Sequence, residues 1–294
     1  MSLISTEIRS LISGTRLAIL ARQIVDGYMV GMHSGTRRGA GTEFSQYRSY
    51  QPGDDLRQID WKMYARSDRY YIKEADIETS VTIRFFLDSS ASMLYEENGF
   101  TKFRYSSLLT AAIGTLAHQQ GDGIALHIVN SDKRTDLQNR RGKNQLNQFY
   151  NILETAECEG TWPESGEWLL DCMTSRNREL WVVISDMIDG LEPWKSFMKM
   201  GETFGNEIQF LQILGDLEMN LRFDKVITLR DPESGKEQNI RTKSVKDRYA
   251  KSLQNYLKDL DEAVTGKRSR LDLLTMDQPV VQALQIISKR RARL

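Results

Sequence analysis

Histidine is almost missing from this chain: His33, His118 and His127 are the only three in 294 residues. A Ser-His-Asp triad or a histidine-built zinc centre therefore has little to draw on. His118 falls in a helical stretch and His127 inside an apolar one, where packing or surface placement accounts for both. Cysteine is scarcer still, with only Cys158 and Cys172 and no CxxC pattern. That usage argues for a reducing compartment rather than a disulfide framework. An excess of one charge is absent too, since 40 Lys and Arg balance 40 Asp and Glu. With a pI of about 6.9, no global field draws the chain to nucleic acid or anionic lipid, and no nucleic-acid partner is expected. Long apolar runs are lacking as well. Glu7, Arg9, Arg16, Arg22 and Asp26 interrupt the amino-terminal stretch, so neither a signal peptide nor a membrane-spanning helix fits. A cytoplasmic protein without a transmembrane segment is expected, with peripheral membrane association left open. The glycine-rich turn from Gly35 to Phe44 has no preceding strand and no Lys-Ser/Thr after its last glycine, so it meets neither nucleotide-binding fingerprint.

What remains is an ordinary globular composition, 40% hydrophobic and 27% charged, in a chain long enough for a large domain with a smaller companion. Apolar residues at helical spacings predict one or two amphipathic helices over residues 3–30, bent at Ser13-Gly14. Pro52-Gly53 marks a turn, and Asp54 or Asp55 is placed to cap a short helix beginning near Leu56, with Leu56, Ile59 and Met63 inward and Ser67-Asp68 closing it. A strand from Arg69 to Ile77 should follow. Around it, Glu43, Arg48, Arg57, Asp60, Arg66 and Glu78 form a dense set of mixed charges. The set fits either a solvated face or a semi-buried ion-pair network, and the expected role is structural, bracing a small α+β block.

From Val81 the pattern becomes regular. Strands at 81–87, 124–129, 180–185 and 208–214 alternate with helices at 102–120, 146–153, 167–174 and 193–204. Lys133 to Arg141 reads as a polar hairpin. This rhythm predicts an α/β fold with a doubly wound, mostly parallel sheet. A β-hairpin near 226–242, turned by Pro232 and Gly235, interrupts it. A charged helix from 245 to 264, a strand at 270–274 and a last helix from 280 to 293 complete the chain. The division expected is a helical arm at 1–34, the α+β block at 35–79 and the sheet domain at 80–294. The basic end of the last helix, Lys289, Arg290, Arg291 and Arg293, suits a helix carboxyl terminus.

The candidate site lies where strands deliver their carboxyl ends, which is where open α/β sheets bind ligands. Asp88-Ser89-Ser90-Ala91-Ser92 follows the strand at 81–87, Asp186 follows the strand at 180–185, and Gly160-Thr161 lies in a loop on the same edge. Carboxylates and hydroxyls make an oxygen cradle suited to a hard divalent cation, Mg2+ or Mn2+. The plainer alternative is that Asp88 and the serines only cap the following helix and satisfy loop amides.

These residues carry a resemblance. Asp88, Ser90 and Ser92, then Thr161, then Asp186 resemble the metal-ion-dependent adhesion site of von Willebrand factor A domains. Upstream, Gly41-Thr42-Glu43-Phe44, Arg48-Ser49-Tyr50, Pro52-Gly53-Asp54-Asp55, Arg57, Ile59-Asp60-Trp61 and Ala65-Arg66 resemble the signature of the bacterial domain-of-unknown-function-58 family. The likeness extends over residues 35–294. It implies a von Willebrand factor A-like or Rossmann-like core, a metal held by Asp88, Ser90, Ser92, Thr161 and Asp186, and a partner carboxylate completing the metal's shell. It also implies work beside a MoxR-type AAA ATPase. Many relatives carry amino-terminal membrane helices, which this chain does not show. An interaction module without catalytic residues is thus the expected function. The alternatives are a metal-assisted hydrolase using the same cradle, for which no histidine or lysine is placed by sequence near the motif, and a scaffold whose site stays empty.

Overall fold

A computed structural model describes residues 16–35, 47–52, 54–56, 59–73, 81–139, 144–172, 178–188, 190–220, 227–230, 237–240 and 243–291. The chain forms two compact units, residues 31–80 and residues 1–30 together with 81–294.

The larger unit is built on six strands in the order β12-β9-β8-β3-β6-β7. In chain order these are β3 (Thr82–Asp88), β6 (Gly123–Val129), β7 (Arg134–Leu137), β8 (Glu179–Ser185), β9 (Glu207–Leu214) and β12 (Ser269–Thr275). All pair in parallel except β7, which runs antiparallel to β6 at one edge. The four central strands read as near-continuous apolar runs because both faces are covered. On one face Ile83, Phe85, Leu87, Val182, Ile184, Leu211 and Ile213 meet α1 (Leu17–Gly35), α3 (Lys102–Gln119), α4 (Gln145–Thr155) and α9 (Val281–Arg291). On the other, Phe86, Trp181, Val183, Ile208 and Phe210 meet α5 (Leu169–Cys172), α6 (Glu192–Thr203) and α8 (Lys243–Val264). The alternation along each strand is the period of two that a pleated strand imposes. The hairpin of β10 (Ile227–Arg230) and β11 (Glu237–Ile240) forms its own two-stranded ladder.

One buried line of polar groups crosses four strands. Arg84 on β3 grips Glu179 on β8 through two hydrogen bonds, Nε to Oε2 at 2.7 Å and Nη2 to Oε1 at 2.9 Å. Its Nη1 lies 2.9 Å from His127 Nε2 on β6, and His127 Nδ1 lies 2.7 Å from Asp136 Oδ1 on β7. A guanidinium only donates, so Nε2 accepts and Nδ1–H donates to Asp136: the imidazole is neutral with a defined tautomer. Burial first, and the Arg84 charge after the opposing Asp136 hydrogen bond, hold the His127 pKa below its ordinary value. Cys172 completes a group of three metal-capable atoms with His127 and Asp136. Arg84 and Arg134 already supply positive charge there, and burial pushes the Cys172 thiol up to about 12. We read that group as structural.

The basic end of α9 is also structural rather than a simple helix-end complement. Arg290 is buried, donates to the carbonyls of Ile208 and Arg268, and pairs with Glu207. Arg291 clamps Asp122 at the start of β6. The polar hairpin expected over Lys133 to Arg141 is, where described, the strand β7 turning back antiparallel on β6, while Arg140 and Arg141 lie outside the described residues. It escapes an apolar pattern because an edge strand buries little; of its four residues only Leu137 is buried.

In the smaller unit, β1 (Tyr47–Ser49) pairs antiparallel with β2 (Tyr71–Lys73), and α2 spans Trp61–Ser67. This helix starts later than the expected position near Leu56. Asp54 Oδ2 accepts from Gln51 N and closes the Pro52 turn, while Ile59 bridges to Ile72 and keeps the backbone extended. Asp60 is the actual cap, taking both Lys62 N and Met63 N on Oδ1 at 2.9 and 3.0 Å. Asp68, with φ of 55°, ends the helix in the left-handed region. Of the ion-pair network expected here, Glu43, Arg57, Glu78 and the side chain of Arg48 lie outside the described residues, as does the Gly-rich turn from Thr36 onward. Arg66 is exposed.

Two expectations follow. Asp60→Ala should lower the stability of this block by about 1 kcal/mol through loss of the cap, read from denaturant midpoints; an unchanged midpoint would refute the capping role. For His127, the sign follows from a folded pKa below the unfolded value of about 6.5. The stability tied to neutral His127 is present above that pH and lost as the pH falls. The stability difference between the wild type and His127→Gln should therefore shrink between about pH 7.5 and about pH 5.5. A difference that stays flat would show that His127 is not held neutral.

Candidate functional site

The carboxyl ends of β3 and β8 lie side by side, and the next residues carry the site. Asp88 closes β3 fully buried, and Asp186, just past β8, is fully buried too. Asp88 Oδ1 accepts from Ser90 N at 2.8 Å, while Asp88 Oδ2 accepts from the Ser185 hydroxyl at 2.5 Å. Ser90 begins the short 3-10 turn Ala91–Leu94 but makes no side-chain cap to it. Its hydroxyl instead faces that of Ser92 at 3.0 Å, and both serines are buried. The plain capping alternative thus accounts for one oxygen of Asp88 and for neither serine hydroxyl.

Thr161 comes to the same edge through the backbone. Glu159 N donates to Ser89 O and Ala91 N donates to Gly160 O, each at 2.9 Å, so this loop runs along the Asp-x-Ser-x-Ser turn. Thr161 itself is tied by its backbone to Ser131, N to Oγ at 3.2 Å and O from Ser131 N at 2.6 Å. Gly160 has φ of +64°, and a Cβ there would stand 2.4 Å from Ser131 Oγ. Only glycine permits this approach.

Sequence reasoning left the neighbourhood without a lysine; the structure delivers Lys102. The Asn98-Gly99 turn, both residues at positive φ, folds β4 (Glu96–Glu97) against β5 (Phe100–Thr101). Thr101 then caps α3 through Arg104 N, which fixes Lys102 as the first residue of that helix. The side chain is 1% exposed, and its ammonium lies 2.9 Å from Asp186 Oδ2 and 2.8 Å from Glu218 Oε1. The Tyr95 ring lies under it, 5.0 Å from centroid to Nζ. Glu218 comes from α7 (Asp216–Asn220). Burial alone would lower the Lys102 pKa, but Asp186 and Glu218 outweigh it and hold the ammonium above its ordinary value. A lysine so held is no general base. One signal in the sequence could have found it: a cation in the first turn of a helix opposes the helix dipole, so such a residue calls for a carboxylate elsewhere.

The arrangement is electrostatically lopsided. Asp186 Oδ2 is paired, but Asp186 Oδ1 is buried with no hydrogen-bond partner among the described residues. Asp88 is pushed up to about 7, first by burial and then by the Asp186 charge, against the hydrogen bonds from Ser185 and Ser90. The turn after Asp186 is strained as well, because Met187 is fully buried at φ of 55°, a region unfavourable to a long side chain. Ser185 Oγ accepts from Met187 N at 2.9 Å, and Tyr256 donates to Met187 O at 2.6 Å, so the turn is held from both sides.

Residues 46–258 match the family described as "Protein of unknown function DUF58". The chain belongs to this family. Uncharacterised proteins of Mycobacterium tuberculosis and Mycobacterium bovis are 23% identical to it over 283 residues, spanning 94% of this chain and 88% of theirs. An aerotolerance-related membrane protein from Bacteroides fragilis superposes with a TM-score of 0.51 at 13% identity, over 73% of this chain and all of that one. The VWA domain of SpRpn10 is similar over 72% of this chain and 97% of its own, with a TM-score of 0.42 and 9% identity. The DUF58 chain has an α/β fold built on a mostly parallel sheet, and shares it with the aerotolerance-related protein. No helix among the described residues is long and apolar enough to cross a membrane.

The pKa of Asp88 gives a signed expectation. A carboxyl raised in the folded state keeps its proton there after the unfolded chain has lost its own. The folded form is then favoured at low pH and loses that advantage as the pH rises from about 4 to about 7. The effect is on the order of 4 kcal/mol and opposite in slope to that of His127. Asp88→Asn should remove it. Parallel pH profiles of wild type and Asp88→Asn in chelator, read from urea midpoints, would refute the shift.

Proposed function

We propose that this DUF58 protein is a metal-dependent docking module that works with a MoxR-type AAA ATPase in the assembly or remodelling of other proteins. The observation that carries the reading is the bare, buried Asp186 Oδ1 beside a second buried carboxylate. Two carboxylates out of water repel and demand positive charge, and one lysine engages only one of the four oxygens. Every donor in the cradle is oxygen, the set a hard cation such as Mg2+ or Mn2+ prefers. Asp88, Ser90, Ser92 and Asp186 would hold it, with Thr161 contributed from the adjoining loop. A bound divalent ion would supply an open coordination position for a carboxylate of the partner.

The chain's own residues do the remaining work. Ser185 and the Ser90 amide orient Asp88, and Tyr256 holds the turn that positions Asp186. Apolar clusters on both faces of the sheet pack beneath the carboxyl edge. Docking through one ion suits an assembly that must also come apart, since removing either the carboxylate or the ion ends it. A cytoplasmic location belongs to the same reading, because the ATPase partner works there.

Capture of a co-expressed MoxR-type ATPase by the tagged protein tests this. Asp88→Ala or chelation should abolish capture while leaving the thermal transition cooperative. Retention of the ATPase by the folded variant, or in chelator, would sink the docking mechanism.

A further inference from the structure

Lys102 sets a fixed cation against one of the two buried carboxylates of the cradle. We infer that it is the resident counter-ion of the site and sets its affinity: the ammonium competes with a divalent ion for Asp186, and Glu218 is the partner it keeps when the ion is bound. The inference rests on the metal-docking reading above and deepens it.

Three observations support it. First, Lys102 is placed at cost. It lies buried at the amino end of α3, where the helix dipole repels a cation, so its two carboxylates are what make the position tenable. Second, those carboxylates differ. Asp186 is fully buried with one oxygen bare. The Glu218 side chain is 22% exposed, and its other oxygen, Oε2, accepts from Gly215 N at 2.7 Å. Glu218 is thus anchored by the backbone and presents Oε1 to Lys102, its one partner there among the described residues. Third, the anchor is itself fixed. A Cβ on Gly215 would stand 2.5 Å from Glu97 Oε2 and 2.6 Å from Tyr95 Cε1, and Glu97 Oε2 accepts from Leu217 N. The turn into α7 is pressed against the β4–β5 hairpin that leads into Lys102.

The sign of the coupling follows from charge. An ammonium and a divalent ion on one carboxylate repel each other, strongly where water is excluded. Binding of the ion is therefore opposed by Lys102, and the opposition is relieved to the extent that Lys102 leans on Glu218. Removing Lys102 should tighten the site. Removing the Glu218 charge should loosen it, but only while Lys102 is there to be driven back onto Asp186.

Calorimetric titration of Mn2+ into chelator-stripped full-length protein decides between outcomes. Lys102→Met should bind at least tenfold more tightly than the wild type. Glu218→Gln should bind several-fold more weakly in the wild-type background and change little in the Lys102→Met background, a coupling that a double-mutant cycle isolates. Wild type that binds Mn2+, with Lys102→Met equal or weaker, would overturn the role of Lys102 and leave the metal site standing. No heat with either folded protein would overturn the metal site, and this inference with it. Should Lys102→Met not fold, Glu218→Gln alone still reads the coupling, and an unchanged affinity there refutes it.

Discussion

A sheet covered on both faces has no water with which to screen a charge, and this constraint governs the whole larger unit. Every ionic group within the layers must find its complement inside the protein. Two lines of charge satisfy it in different ways. Across the middle strands, Glu179, Arg84, His127 and Asp136 form a closed series in which each ring nitrogen and guanidinium has a partner. At the carboxyl edge, Asp88 and Asp186 do not close: one oxygen is bare and one carboxyl is pushed to about 7. The first line closes within the sheet; the second leaves buried negative charge only partly matched among the described residues. Both stand on the same strands, β3 and β8, so one pair of strands carries a polar line that closes and a carboxylate pair that does not.

The rim is incomplete because several local rules are broken there together. A methionine takes a left-handed backbone, a lysine opens a helix, and two serines that could cap the next turn face each other instead. Each departure costs free energy, and the rigid core beneath absorbs that cost. Departures of this kind gather where a surface has been shaped for a ligand rather than for stability.

Most of the sheet was legible because burial on both faces leaves unbroken apolar runs. The strands at 82–88, 123–129, 179–185 and 207–214 differ from their predicted bounds by one residue at most at either end. The strand β7 was not, since an edge strand that buries one residue in four looks like a loop. The start of α2 was misplaced because Asp54, Asp55 and Asp60 are equally good caps on paper. Only the pairing of Ile59 with Ile72 chooses among them. At the site, Asp88, Ser90 and Ser92 were legible as a motif within five residues. Lys102 and Glu218 were not, because Lys102 meets Asp186 across 84 positions and Glu218 across 116, through a hairpin and a glycine turn.

The edge strand that sequence missed has a consequence of its own. Among the described residues the sheet has no neighbour beyond β7, and an open edge invites another chain to extend the ladder. Here that last strand carries Arg134 and Asp136, bound to one another at 3.0 Å, with Asp136 also held by buried His127. A newcomer aligning there would have to dehydrate an ion pair and disturb the imidazole behind it. The residues that complete the inner polar line therefore also shield this edge of the sheet.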